Sequence, residues 1–379
     1  MRVLCDFPLT LVSLISIVSP NGETVIYGET MKEIDWEKKI EERLIDLLGE
    51  AGLPLKDTRR QALSRNAPDI LIRATNPEGK EYSLLVEVKS NGEPRMARMA
   101  FQQLRESLKN RPETYGIFGA PYITEDTGEL CQKEGIGYID AAGNCSLSFG
   151  STFIQVKGNP NPFKNEKKLK SLFSPKASRV LRVMLSNPGK RWYVRDLAQE
   201  ADVSLGQTSN VKKRLLDYEF IIEEKKEFKL AQREKLLQRW VDNYSYAKSS
   251  PANFYSLQSP REFETSFARY CRPQNLSYAF TLFSGAARIA PFVRYNRVFV
   301  YAPKFPPNAQ EELRLKPVRT GANVTILTPY DEGLLYGLQS INDEEVVCDI
   351  QLYLDLKSFG GRGDEAAEMI LEKRLKPKW

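Results

Sequence analysis

The chain has 379 residues, with 55 Lys and Arg against 49 Asp and Glu, a formal net charge of +6, and no histidine. The absence of histidine excludes Ser-His-Asp hydrolases, histidine-ligated metal nucleases and HExxH metalloproteases, which leaves carboxylate, lysine and metal chemistry. Because single cores stop growing near 250 to 300 residues, this length predicts two or three domains.

The cysteines exclude further classes of site. They are scattered without a CxxC pair, which argues against a structural zinc site, a haem attachment site or a disulfide framework. We therefore expect a protein of the reducing cytoplasm, without zinc or haem. The sequence has no apolar run near the roughly 20 residues that span a bilayer, so no membrane association is expected. The five positions are Cys5, Cys131, Cys145, Cys271 and Cys348.

The first 30 residues differ in character from the rest of the chain. Residues 9–18 are largely apolar, but Asp6 and Pro8 separate them from Arg2 and no clear small-residue cleavage site is present after them, which argues against a signal peptide. Met31 begins a more typical opening. Residues 1–30 are therefore interpreted as an over-long start or an accessory segment.

A β-hairpin is predicted over residues 69–89. Two runs rich in β-branched and large apolar residues, 70–73 and 82–89, flank the turn signal Asn76-Pro77-Glu78-Gly79. A turn centred on Glu78 pairs residues whose numbers sum to about 156, because antiparallel pairing is symmetric about the turn. Asp69 then faces Glu87.

This register gives the hairpin two unlike faces. One face is apolar and suited to packing against a helix, whereas the other carries Asp69, Glu87 and Lys89. Two opposed carboxylates repel each other by a few tenths of a kcal/mol or more. A divalent cation would offset that repulsion, and Lys89 lies within reach of a metal-bound water or phosphate. The alternative is a surface hairpin with an ordinary Glu/Lys pair.

Pro68-Asp69 followed by Glu87-Val88-Lys89 resembles the PD-(D/E)xK nuclease motif, and the resemblance covers roughly residues 35–157. It implies that Asp69 and Glu87 bind Mg²⁺ or Mn²⁺ and that Lys89 orients or activates the attacking water. It also implies a glutamate on the preceding helix, for which Glu41 is suited. A glutamine on the following helix is implied as well, with Gln103 the better candidate and Gln102 the other.

The rest of this predicted domain, residues 31–157, alternates helices and strands. Residues 95–110 are predicted as a helix with Met96, Met99, Ala100, Leu104 and Leu108 on one side. Strands are predicted at 115–119 and 137–140 with a short helix at 129–134 between them. One more strand near residues 58–63 would complete an α-β-β-β-α-β order. Asp140 is interpreted as a turn residue, although a second polar site is the alternative.

A basic connection rich in Pro and Asn over residues 157–175 predicts a domain boundary. A helix is predicted over 176–186, followed by two helices with helix-turn-helix spacing: residues 192–201, and residues 204–216 with Ser204 as N-cap. Two short strands at 220–222 and 228–230 flank Lys225 and Lys226. Residues 172–242 resemble a winged-helix DNA-binding domain.

Charge supports DNA binding by this domain. Residues 160–230 contain 16 Lys and Arg against 9 Asp and Glu, a surplus of seven, while the surplus of the whole chain is six. A local basic excess around a helix-turn-helix neutralises phosphates. A winged helix that contacts only protein is the alternative. The candidate residues for contacts with double-stranded DNA are Ser204, Gln207, Asn210, Lys212, Lys213, Arg214, Lys225 and Lys226.

A second linker is predicted at residues 246–253, before a C-terminal α/β domain at 255–379. Strands are predicted at 297–301, 323–327 and 346–356, and a helix capped by Asp364 runs to about residue 374. Residues 283–291, 351–356 and 361–367 resemble the AbiEi family of type IV antitoxin regulators, a resemblance that covers roughly residues 172–379. It implies autorepression and a nucleotidyltransferase-like toxin as partner.

The predicted fold class is therefore α/β multidomain, with a nuclease-like domain, a winged helix and a C-terminal α/β domain. Two hypotheses compete. The chain is either an AbiEi-like DNA-binding regulator, or a Mg²⁺-dependent endonuclease of restriction, repair or phage defence that its winged helix directs to DNA. Both are compatible with a homodimer.

Overall fold

A computed structural model describes residues 17–18, 24–25, 33–60, 67–109, 111–163, 172–289 and 294–379. The chain divides into two compact units, residues 1–92 with 97–161, and residues 93–96 with 162–379. The division at 161/162 falls inside the predicted boundary, although its lysines at 164–170 lie outside the described residues. No helix in the described ranges is long and apolar enough to cross a membrane.

The first unit contains a seven-stranded sheet flanked by helices. Of the predicted accessory segment, the structure describes only a short antiparallel pair, Ile17–Val18 with Thr24–Val25; the remainder of residues 1–30 lies outside the described ranges. The elements in chain order are β1 (Ile17–Val18), β2 (Thr24–Val25), α1 (Glu33–Glu50), β3 (Leu55–Arg60), β4 (Ile70–Thr75), β5 (Glu81–Val88), α2 (Pro94–Leu108), β6 (Thr114–Ala120), α3 (Glu125–Lys133), β7 (Gly137–Asp140), β8 (Cys145–Phe149) and β9 (Thr152–Val156).

The sheet order is β3-β4-β5-β6-β7-β8-β9. Strands β5, β6 and β7 are parallel neighbours, and the other pairs are antiparallel. The hairpin register is confirmed, since Ile70 pairs with Val86 and Ile72 with Leu84, each pair summing to 156. The predicted extra strand is β3, which begins three residues earlier than expected; residues 61–63 lie outside the described ranges. Strands β8 and β9 were not predicted.

Each face of the hairpin is covered by a helix. Ile40 of α1 and Val88 both lie next to Gly119, where an added Cβ on the glycine would be 3.0 Å from Ile40 Cγ2 and 3.1 Å from Val88 Cγ2. The other face packs against α2, whose buried residues are Ala97, Ala100, Phe101 and Leu104. The prediction that Met99 faces the sheet is wrong, because Met99 is 48% exposed. The turn of α2 places Phe101 there instead.

The second unit begins with three helices, a two-stranded hairpin and a fourth helix. These are α4 (Pro175–Ser186), α5 (Val194–Glu200), α6 (Leu205–Asp217), β10 (Ile221–Glu224), β11 (Glu227–Leu230) and α7 (Arg233–Val241). Trp192 precedes α5 and pairs with Phe228 of β11 through two backbone hydrogen bonds of 2.9 and 3.0 Å. The predicted helix at 192–201 therefore starts later, because Trp192 is an extended residue of the hairpin sheet.

A second seven-stranded sheet follows. Its region contains β12 (Ser250–Tyr255), α8 (Pro260–Cys271), β13 (Ala279–Phe280), α9 (Leu282–Ile289), β14 (Val298–Tyr301), α10 (Ala309–Glu312), β15 (Lys316–Pro317), β16 (Val324–Thr328), β17 (Gln339–Ile341), β18 (Glu344–Val346), α11 (Asp349–Phe359) and α12 (Arg362–Ile370), with 3₁₀ turns at Tyr246–Lys248, Glu332–Leu335 and Lys376–Lys378 and a π-helical turn at Leu371–Leu375. The strand order is β15-β12-β16-β14-β13-β18-β17.

Three predictions for this region are wrong. Residues 346–356 are mostly helix α11 rather than a strand. Residues 246–253 are a 3₁₀ turn and part of β12 rather than a free linker. The last helix is capped by Gly361, not Asp364, since its first residue is Arg362. The strands predicted near 297–301 and 323–327 are confirmed as β14 and β16.

One hydrophobic core joins the two parts of the second unit. It runs from Leu181 and Trp240 of the helical part to Phe299 on the sheet and Ile370 on α12. A separate cluster lies between α8 and the sheet, around Phe263 and Phe267. The helix-hairpin part and the C-terminal sheet therefore share one hydrophobic core.

Candidate functional sites

The structure brings Asp69, Glu87 and Lys89 together at the carboxyl end of β5. Asp69 lies one residue before β4, and its Oδ2 accepts a 2.7 Å hydrogen bond from Val88 N. Lys89 Nζ donates to Glu87 Oε1 at 2.5 Å. Because Glu87 is 2% exposed, this pair is shielded from solvent. The sequence register alone placed these three side chains on one face.

Burial sets the electrostatics of the site. Desolvation raises the pKa of the Asp69 carboxyl, although the Val88 amide and the Lys89 charge act in the opposite direction. In the described ranges no group of three or more acidic or cysteine side chains is arranged to hold a metal. The buried Glu87 and the half-buried Asp69 fit Mg²⁺ nonetheless, because this ion keeps several waters and binds proteins through one or two carboxylates.

The three remaining candidates lie on the flanking helices. Glu41 is 8% exposed and lies on the buried stripe of α1 beside Ile40 and Leu44, and α1 packs on the face opposite to the Glu87 side chain. Gln103 and Gln102 are both exposed on α2. Their roles at a metal site stay predictions.

Asp140 was interpreted as a turn residue, but it is the last residue of β7, and only its side chain binds the turn that follows. Its carboxylate accepts hydrogen bonds from Asn144 N at 2.8 Å, Asn144 Nδ2 at 3.0 Å and Ile123 N at 3.1 Å. Asn144 in turn accepts from Asn159 N at 2.9 Å. Asp140 thus holds together the loops that follow β6 and β7.

In the second unit, helix α6 presents one exposed stripe. Ser204 is the N-cap, since its hydroxyl accepts from Gln207 N at 3.3 Å. Thr208, Val211 and Leu215 are buried. The residues on the opposite side are exposed, and none of them is acidic: Leu205, Gly206, Ser209, Asn210 and Lys213. Gln207 and Arg214 flank the stripe and are half-buried.

Not every predicted basic residue is available for a ligand. Lys212 forms an ion pair with Glu223 of β10 and lies over the Phe228 ring, so it fastens α6 to the hairpin. Lys225 and Lys226 form the two-residue hairpin turn and are exposed. Their φ angles of 50° and 75° identify a type I′ turn.

Leu205 and Gly206 were missed by the sequence reasoning. Leu205 is 56% exposed, and a Cβ added to Gly206 would meet nothing within 4 Å. Helical spacing could have indicated that they share a side of the helix with Asn210, because Gly206 precedes it by four positions and Leu205 by five. Leucine is usually assigned to a core, which is why it was passed over.

The C-terminal stretches that carry the AbiEi resemblance pack together. A Cβ at Gly285 of α9 would lie 3.0 Å from Leu352 Cδ1 of α11, so the small residue permits close helix packing. Asp355 of α11 is fully buried. It accepts hydrogen bonds from Tyr244 at 2.5 Å, Gln351 at 2.8 Å and Tyr301 at 3.1 Å, and also from Thr281.

Comparison with solved structures gives low overall similarity. "Structure of EndoMS in apo form" is 19% identical and covers 31% of this chain and 49% of that one, with a TM-score of 0.20. "Structure of EndoMS-dsDNA2 complex" is 20% identical over 30% and 46%, with a TM-score of 0.18. A repair endonuclease from Pyrococcus abyssi is 18% identical over 31% and 50%, with a TM-score of 0.19. The matches thus span about half of each of those chains or less.

No curated protein matches this chain significantly. A family model does match, and it coincides with the second unit from β11 to the C-terminal turns. Residues 229–376 match the family described as transcriptional regulator, AbiEi antitoxin, type IV TA system.

Proposed function

We propose that this chain is a DNA-binding regulator of the AbiEi antitoxin kind, in which residues 172–242 form a winged helix that binds double-stranded DNA. The observation that carries the proposal is the exposed, acid-free stripe on α6. Asn210 offers an amide to base edges and Lys213 a cation to phosphate, which are the two kinds of contact that such a helix makes.

The surroundings of the stripe support a winged helix. Helices α4, α5 and α6 precede the β10–β11 hairpin, and Trp192 adds an extended segment to β11. This element order is the one that a winged helix would have, with the β10–β11 hairpin as its wing. Lys225 and Lys226 at the tip of the hairpin would contact the phosphate backbone next to the groove that α6 enters.

DNA binding is tested by fluorescence anisotropy with a 30-bp duplex over a series of salt concentrations. The logarithm of the association constant should fall linearly with the logarithm of the salt concentration, with a slope of about −0.9 for each phosphate contact. Lys213→Ala should flatten that slope, whereas Lys248→Ala, a lysine of the 3₁₀ turn, should not. Binding that is absent in wild type at low salt would overturn the proposal.

The family match suggests a toxin as the second partner. By the same proposal the C-terminal domain opposes a nucleotidyltransferase-like toxin in the cytoplasm, and the regulator binds its operator as a homodimer. Co-purification of a tagged chain with the product of an adjacent toxin gene, and light scattering of the free protein, test these two points.

A second candidate function is Mg²⁺-dependent DNA cleavage, and the cluster of Asp69, Glu87 and Lys89 favours it. Asp69 and Glu87 would hold the ion, which when bound supplies Lewis-acid activation of a phosphate and a water. Lys89 donates a hydrogen bond to Glu87 and compensates its charge. The Val88 amide fixes the orientation of the Asp69 carboxylate.

Incubation with supercoiled and branched DNA and Mg²⁺ or Mn²⁺ tests this candidate. Nicking should occur in wild type and be lost in Lys89→Ala. The matched control is Lys80→Ala in the turn of the same hairpin, where the lysine pairs with Glu113 on the surface. Equal nicking by wild type and Lys89→Ala would identify a contaminating nuclease.

A further inference from the structure

We infer that Leu205 reads the C5 methyl group of a thymine in the major groove, and that Gly206 lets the first turn of α6 approach the DNA closely enough to do so. The inference rests on the proposed DNA binding and names a determinant of its specificity. Nothing in the similarity to other proteins assigns a role to either residue.

The position of Leu205 carries the first step. It is the first residue of α6, and the N-terminal residues of such a helix are those that meet base edges. At 56% exposure it leaves a large apolar side chain in water, although it shares its stripe with the polar Asn210 and Lys213. In the major groove the thymine methyl is the apolar feature of a base pair. A leucine side chain has no donor or acceptor that could form a hydrogen bond with the polar groups of the base edges.

Gly206 carries the second step. Within a helix a glycine costs about 1 kcal/mol relative to alanine. Its site is open, since an added Cβ would meet nothing within 4 Å, so the packing of the protein itself gives no reason for a glycine. Close approach of another molecule to the backbone gives one, because any side chain would keep the first turn away from the groove floor.

Charge around this turn is also suitable for DNA. Leu205 borders a groove between α5 and α6 that Arg195 and Asp202 also line. The Asp202 carboxylate is paired with Arg179 Nη1 at 2.6 Å, which reduces its repulsion of phosphate. Arg195 is exposed and can bind the phosphate that flanks the base pair under Leu205.

Replacement of thymine by deoxyuridine tests the inference, because it removes the methyl group and keeps every hydrogen-bonding group. Wild type is first used to select a site from duplexes with 20 random base pairs. Each thymine of that site is then replaced singly, and the affinity is measured by anisotropy. At one position the wild type should lose about fourfold in affinity, the contribution of one buried methyl-sized group.

Variants attribute that loss to Leu205. Leu205→Ala should bind the thymine and deoxyuridine duplexes equally, whereas Leu257→Ala, which removes an 89% exposed leucine of the C-terminal domain, should keep the fourfold difference. Gly206→Ala should raise Tm by a few degrees yet weaken binding to every duplex severalfold.

The failure of this inference is distinguishable from failure of the proposed function. Intact DNA binding without sequence selection, or without any deoxyuridine effect in wild type, would overturn the role of Leu205. So would a deoxyuridine effect that survives in Leu205→Ala. Unchanged affinity in Gly206→Ala would show that the first turn stays clear of the DNA. Absence of binding to any duplex would instead overturn the proposed function itself.

Discussion

Arg182 and Gln351, which are 169 positions apart in the sequence, share two hydrogen bonds in the interior of the second unit. Gln351 Oε1 accepts from Arg182 Nη2 at 2.7 Å and from Nε at 3.1 Å. Both side chains are completely buried. Through this pair, helix α4 of the helix-hairpin part is fastened to α11 of the C-terminal part.

Loss of the glutamine should destabilise the whole second unit. Gln351→Leu keeps the volume but leaves the buried Arg182 guanidinium without its main acceptor, which costs about 3 kcal/mol or more in the free energy of unfolding. Urea unfolding followed by tryptophan fluorescence is the measurement, since Trp240 packs against Arg182.

The matched control is Gln238→Leu on the exposed side of α7, which should change the unfolding free energy by no more than about 0.5 kcal/mol. Similar effects of Gln351→Leu and Gln238→Leu on the unfolding free energy would show that Gln351 contributes little to stability. Two separate transitions in wild type would show that the shared core does not couple the two parts.

The helix α11 shows why the sequence misled in this region. Ile350, Leu352, Leu354 and Leu356 alternate with less apolar residues, which favours a strand. The helix is buried on all sides, so no polar face marks its period, and Gln351 and Asp355 are buried by virtue of partners far away in the sequence. A pattern within one segment cannot reveal such partners.

The hairpin at 70–88 was predictable for the opposite reason. Its turn residues and its two runs are adjacent, so register follows from local symmetry, and the cluster of Asp69, Glu87 and Lys89 follows from register. Leu205 shows the limit of that approach, because exposure of an apolar residue depends on how α6 packs. The positions of side chains that depend on local geometry were therefore predictable from the sequence. The positions of side chains that depend on long-range packing were not.

The stability of the second unit should depend on pH through Asp355. Burial raises the pKa of its carboxyl to about 6, against the hydrogen bonds that favour the charged form. A raised carboxyl pKa means that the native state holds the proton more tightly. The stabilising contribution is therefore complete below the ordinary pKa of 3.8 and is lost as pH rises through about 6.

Asp355→Asn isolates this contribution. The unfolding free energy of wild type relative to that of the variant should fall by on the order of 2 kcal/mol between pH 4 and pH 7. Urea unfolding at several pH values measures it, and other carboxyls cancel in the difference. A difference that is independent of pH would contradict the prediction.

Asp69→Asn should separate metal binding from folding. The amide oxygen can still accept from Val88 N, and a carboxylate with a raised pKa is removed, so the unfolding free energy should stay equal or rise slightly. Mg²⁺ affinity should fall by at least about tenfold, since one of two carboxylate ligands is lost.

Calorimetric titration with Mg²⁺ measures the effect, with Asp57→Asn as control. Asp57 pairs with Arg59 on the neighbouring strand β3. Wild type that binds no divalent ion, or an Asp69→Asn variant that binds as well as wild type, would exclude the metal site.

Positions on α6 should differ in what they contribute to DNA binding. Lys213→Ala with Arg214→Ala should flatten the salt slope by up to about 0.9 for each phosphate contact and weaken binding to all sequences. Asn210→Ala should cost about 1–3 kcal/mol on the selected site and little on random DNA. An unchanged slope in the double variant would favour a winged helix that binds protein.

The hairpin tip offers a prediction in which stability and DNA affinity change in opposite directions. Lys225 and Lys226 both have positive φ angles, which a type I′ turn requires and which Asn-Gly adopts with less strain. Lys225→Asn with Lys226→Gly should therefore raise the unfolding free energy by about 0.5–1 kcal/mol. It also removes two charges, so the salt slope should flatten by up to about 1.8 if both lysines contact phosphates.

Lys225→Arg with Lys226→Arg keeps the charges and the strain, and should leave both quantities near wild type. A raised unfolding free energy with an unaltered salt slope would show that the tip of the hairpin does not contact DNA.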